Sequence, residues 1–134
     1  KLMKNHEVLL PVKLQAYERL ILFMERIHPN QLVLRMNKPG LNAGQFQSLL
    51  IKSIRDEYEH NISQQLYVSD KAWSKVNLAK EECLKQINFA ASKINSQAQG
   101  AELGAILIQN FSQINPSPIS EAIRQLKFDV QKGL

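Results

Sequence analysis

Two Glu-x-x-His steps, Glu25/His28 and Glu57/His60, come nearest to a recognised chemistry in this sequence. On a helix, a three-residue step puts a carboxylate and an imidazole on one face. Carboxylate-bridged di-metal bundles use two such helices and one further Glu from each of two others. Glu81, Glu82, Glu102 and Glu121 would nominally complete the set. Helical geometry argues against it. At about 100° per residue, His60 falls opposite the Tyr58, Ile62 and Leu66 stripe and so faces water. His28 directly precedes Pro29, at a helix end. Glu25, His28, Glu57 and His60 are therefore weak metal candidates. No metal, cofactor or catalytic residue is expected.

Other reactive groups are few. Cys83 lies beside Leu84 and one turn before Ile87, with no His to activate it, and reads as a core thiol. Gly40-x-x-x-Gly44 and Gly100-x-x-x-Gly104 match the membrane dimer pattern in letters only, because that mechanism needs a long apolar helix around the glycines. They read as loop or helix-boundary glycines. No G-x-x-x-x-G-K-[ST], C-x-x-C or G-x-S-x-G occurs. Lys71 and Lys75 lie one turn apart, with Lys85 on a compatible face, and such a stripe could track phosphates. Glu81 and Glu82 interrupt it, and aromatics for base stacking are few.

The elements that position these groups are helical almost throughout. Leu14, Tyr17, Leu20, Ile21, Met24 and Ile27 recur at three- and four-residue steps. They predict a helix over Pro11–Ile27, with proline in its first turn. His28-Pro29 ends it. Gln31–Met36, with Asn30 as cap, is short and β-branched enough to be helical or extended. Asn37-Lys38-Pro39-Gly40 is a turn. Asn42 caps a helix running to about Tyr67, and Ser69 with Asp70 opens the next. That helix runs through Ile94 towards Asn95-Ser96-Gln97, and Gly100 breaks or ends it. A fourth carries Leu103, Ile106, Leu107, Phe111 and Ile114. Ser117 and Pro118 open the last. The expected class is all-α: a single bundle of about five helices with one short additional segment.

At 134 residues and 44% hydrophobic, the chain suits one domain and is too apolar for a disordered basic tail. One Cys excludes a disulfide framework, and no apolar span of about 20 residues is present. The 10 Asn and 13 Gln are scattered through amphipathic helices, so they read as solvated helix surface. The net charge of +5 is uneven. Residues 1–40 carry +4 and residues 71–100 carry +3, residues 41–70 carry −2, and the remainder balances.

Two blocks, LQAYERLILFMERIHPNQLVLRM (Leu14 to Met36) and IRDEYEHNISQQLYVSDKAW (Ile54 to Trp73), carry a resemblance. The KPG turn between them and KEECLKQINFAASKI after them extend it over most of the chain. The sequence resembles an uncharacterised family of membrane-anchored helical proteins from Bacteroidetes-type bacteria. That resemblance implies an N-terminal transmembrane helix upstream, residues 1–10 as a linker, and residues 11–134 as a helical domain at the cytoplasmic face of the inner membrane. The missing starting Met and the early basic residues agree with it. The family brings no activity, cofactor or site residue to carry over.

The resulting expectation is a non-catalytic, membrane-tethered interaction or scaffold domain. Its partner is an unidentified protein or a second copy, and its candidate surface is Glu57, His60, Gln64, Tyr67 and Trp73. A nucleic-acid-binding helical module using Lys71, Lys75 and Lys85 is the alternative, and a di-metal carboxylate enzyme the third reading.

Overall fold

A computed structural model describes residues 2–134, with side chains from residue 7 onward. The described residues form six α-helices and one 3₁₀ helix. These are α1 (Leu2–Ile27), α2 (Pro29–Met36), α3 (Ala43–Asn61), the 3₁₀ turn (Ile62–Tyr67), α4 (Asp70–Ala91), α5 (Gly100–Ser112) and α6 (Pro118–Lys132). The only β-type pairing among them is one isolated bridge, Asn42 to Gln99. The chain is an all-α bundle of five longer helices and the short α2, which settles Gln31–Met36 as helical.

Caps explain most boundaries. Asn42 and Gln45 form a reciprocal capping box at the start of α3, and the Ser69 hydroxyl accepts from the Ala72 N–H at the start of α4. Ser117 caps α6, with Pro118 in its first turn. Four boundaries differ from the sequence expectation. Helix α1 does not begin at Pro11 but runs through it, and Pro11 lies on an exposed face. Of the expected 1–10 linker, residue 1 lies outside the described residues and residues 2–10 are the first turns of α1. The cap of α2 is His28, whose Nδ1 accepts from the Asn30 N–H, and not Asn30. Helix α3 gives way to the 3₁₀ turn at Asn61, where the Asn61 side chain donates back to the Glu57 carbonyl and so competes with the helical ladder.

The fourth difference concerns Gly100, which opens α5 where it was expected to end the preceding helix. A Cβ there would sit 3.0 Å from the Leu41 carbonyl oxygen and 3.2 Å from the Phe46 Cβ. One turn on, a Cβ on Gly104 would sit 2.8 Å from a Val33 methyl. Both glycines let α5 approach α2 and α3 closely, so a Gly-x-x-x-Gly step serves here as a helix-contact face inside a bundle. The Gly100 N–H donates to the Leu41 carbonyl, and Ala43 and Gly44 donate to Ala98 and Ser96, lacing the α2–α3 and α4–α5 connections together.

Helix α4 is central, packing on α6, α3, α5 and α1. Its inward face (Ala72, Val76, Ala79, Cys83, Ile87, Ala90) is mostly small, which lets four neighbours approach. Burial pushes the Cys83 thiol up to about 12, so it is an inert core residue as its neighbours foretold. Among the described side chains of α1, the first buried one is Ala16. No helix among the described residues is long and apolar enough to cross a membrane.

Candidate functional site

The metal-ligand candidates come first. Glu57 lies on α3 where α1 and α2 meet it, and its carboxylate accepts from the Arg26 Nε of α1. The Arg35 guanidinium of α2 reaches the same oxygen at 3.4 Å and also donates to the Arg26 carbonyl at 3.1 Å. Glu57 thus cross-braces three helices. His28 is half-buried, edge-on to Phe111 at 5.2 Å, and committed to capping α2. Burial lowers its pKa, with the Glu25 charge opposing. Glu25 and His60 are exposed. Among the described residues, no three His, Cys, Asp or Glu side chains group to hold a metal ion.

The proposed interaction surface divides. Glu57 and His60 line one shallow, solvent-open groove with Arg26, Met36, Leu49 and Asp56. Trp73 turns instead to the α3–α4 seam, stacked on Tyr58 with ring centroids 5.9 Å apart. The Lys80 ammonium lies 3.7 Å from the centre of the Tyr58 ring. Gln64 and Tyr67 are half-buried on the 3₁₀ turn. The five residues therefore belong to three local environments. Of the lysine stripe, Lys71 and Lys85 are exposed, while Lys75 leans towards Glu121 of α6 at 3.9 Å.

A second polar cluster was not anticipated. Tyr17 is only 3% exposed, and its hydroxyl donates to Asp129 Oδ2 at 2.8 Å. The Ser69 hydroxyl donates to the same oxygen at 2.6 Å, while the Ser69 N–H donates to the Tyr17 hydroxyl at 3.1 Å. Gln125 donates to Asp129 Oδ1 at 2.9 Å. Burial disfavours ionisation of Asp129, but donors from Ser69, Tyr17 and Gln125 and the Lys132 charge outweigh it, so its pKa lies below the usual carboxylate value. Burial, with Asp129 nearby, raises that of Tyr17 against an opposing hydrogen bond from the Ser69 backbone. The cluster ties α1, the start of α4 and the end of α6 into one corner.

Next to that corner, α1 and α6 leave an open groove of about 330 Å³. Leu14, Tyr17 and Ile21 of α1 and Val130 of α6 line it, between Glu18 on one wall and Lys127 and Gln131 on the other. Leu14 is 38% exposed. Towards the start of α1, Val8 (66%), Leu9 and Val12 are exposed as well. The spacing of Leu14, Tyr17 and Ile21 was legible as a helical stripe. That only Tyr17 of the three is buried depends on where α6 lies.

These arrangements contain no assembled nucleophile, base or oxyanion donor set among the described residues. What they offer is bracing inside the bundle and a partly exposed apolar seam on α1. The model of a Family of unknown function (DUF7935) matches residues 1–133. No curated protein and no solved structure matches the chain.

Proposed function

The chain belongs to the Family of unknown function (DUF7935), and from that premise we propose that it is a non-catalytic helical interaction domain, tethered to the cytoplasmic face of a membrane by a segment preceding α1. The observation that carries this reading is the reach of α1. Its described side chains before the first buried one, Ala16, are those of residues 7–15, all exposed or half-buried along about 14 Å of helix at 1.5 Å per residue. A helix that starts before the buried core does, with Val8, Leu9 and Val12 exposed, suits a stalk between a tether and a docking domain. The basic excess of residues 1–40 gives the sign that keeps such a segment on the cytoplasmic side.

The polar side chains support interaction over catalysis. Glu57 is held by two guanidiniums, His28 caps a helix, and Asp129 accepts from three side chains. Each is committed to holding helices in place, and Cys83 is buried. The test is fractionation of the natural full-length protein in its host. The expected result is a carbonate-resistant membrane pellet whose helical domain is digested by protease only in inside-out vesicles. Recovery in the soluble fraction, or protection in inside-out vesicles, would contradict the tether.

A further inference from the structure

We infer that the α1–α6 groove is the seat of a second copy of this chain, paired in parallel along α1 about a two-fold axis. The inference needs only the groove and its charges, and it holds with or without a membrane tether.

The seam comes first. Leu10, Leu14, Tyr17 and Ile21 follow one another at steps of four, three and four residues, the spacing of a two-stranded helical seam. Tyr17 forms the floor, while Leu10 and Ile21 are half-buried and Leu14 is 38% exposed. Val130 of α6 adds an apolar wall, so a helix laid in the groove would touch two helices at once.

The charges beside the seam choose the occupant. At about 100° per residue, Glu18 and Glu25 fall along one flank of the stripe, and Lys13 falls on the other. Helix α6 lies on the Lys13 side, since it meets α1 through Tyr17 and Asp129, and it brings Lys127 to that same flank. One edge of the seam is acidic and the other basic. A two-fold axis along the helices sets the acidic edge of each copy against the basic edge of the other. Lys13 then meets Glu18 of the second copy, five residues on, which is the flanking pair of a parallel two-stranded coil. An axis across the helices would set acid against acid and base against base, which is destabilising. The seam is thus self-complementary in the parallel sense only. Parallel pairing also points both α1 starts the same way.

Light scattering on the intact chain, with two charge-reversed variants, tests this. The wild type is expected at twice its 15.3 kDa mass. In Glu18→Lys/Glu25→Lys both edges are basic, and in Lys13→Glu/Lys127→Glu both are acidic. Each variant alone is expected to pair at least about tenfold more weakly, equivalent to about 1.4 kcal/mol, while retaining wild-type helical circular dichroism. Mixed one to one, they are expected to recover a dimer containing one of each. A wild type that stays at 15.3 kDa at high concentration, variants that dimerise unaided, or a mixture that stays monomeric would overturn the proposal. So would a monomer that binds phosphatidylserine vesicles through Lys13 and Lys127, because the groove edge would then belong to a lipid surface.

Discussion

Two sides of α1, one turn apart, have opposite fates. Tyr17 points into a corner where every polar group has a partner: its hydroxyl, Ser69 and Asp129 join α1, α4 and α6. Leu14 and Ile21, on the same helix and in the same stripe, border a groove that stays open among the described residues. The first side shows how a modest bundle fixes its helices, by placing a satisfied carboxylate where three elements meet. The second shows what such a bundle leaves for others: apolar area with charged edges. Substitutions at Ser69 and Asp129, which the groove does not include, should therefore change stability and leave association alone, whereas Tyr17, shared by corner and groove, should affect both. Those on the open side should act mainly on association.

The largest expected effect is Tyr17→Ala, which removes a buried ring and one donor to Asp129. It should cost about 3–5 kcal/mol in a urea titration, as large aromatic-to-alanine changes do. Asp129→Ala keeps the ring but leaves the Tyr17 and Ser69 hydroxyls without their acceptor, for about 1–3 kcal/mol. A cost as small as that of an exposed substitution would remove the corner from the account. Acid should act through the same residue. Because the folded pKa of Asp129 is depressed, its stabilisation is fully present above the unfolded value of about 3.9 and is lost as pH falls through the folded one. The urea midpoint should drop below about pH 4, and Asp129→Asn should flatten that drop.

Smaller still is Glu57→Ala. The carboxylate is mostly buried, but Arg26 is 43% and Arg35 30% exposed at the side chain, so water screens the freed cations and the loss should be about 1 kcal/mol or less. Comparably small on the folded monomer is Leu14→Asn, which loses helix propensity and part of one half-covered side chain, for about 1 kcal/mol in dilute solution. The same substitution should abolish pairing in light scattering. That contrast, strong in mass and weak in stability, is the sharpest form of the difference between the two sides.

Much of the fold was legible because local signals and tertiary contacts agree. Ser69 reads as a cap and is one, and Cys83, read as a core thiol beside Leu84 and Ile87, is buried with both. Signals failed where a distant partner decides. Pro11 reads as a helix start because its ring removes a donor, yet on an exposed face the helix simply continues through it. Gly100 reads as a helix stop, but its lack of a side chain answers the Leu41 carbonyl and the Phe46 ring, far off in sequence. Glu57 and Trp73 read as one surface because they are near in sequence. Arg26 and Arg35 draw one of them towards α1 and α2, and Tyr58 draws the other towards α4. The groove escaped notice because its second wall, α6, lies more than 100 residues along the chain from its first.

The central claim, an open apolar side of α1 that pairs with itself in parallel, is tested most directly by cysteine cross-linking. Single Leu10→Cys, Leu14→Cys and Ile21→Cys variants can be oxidised without interference, since the buried Cys83 thiol is pushed up to about 12. In-register parallel pairing brings each new thiol against its own copy, so all three should form disulfide-linked dimers. Cross-linking at one of the three and not the other two, the pattern of an antiparallel crossing, or at none, would contradict it.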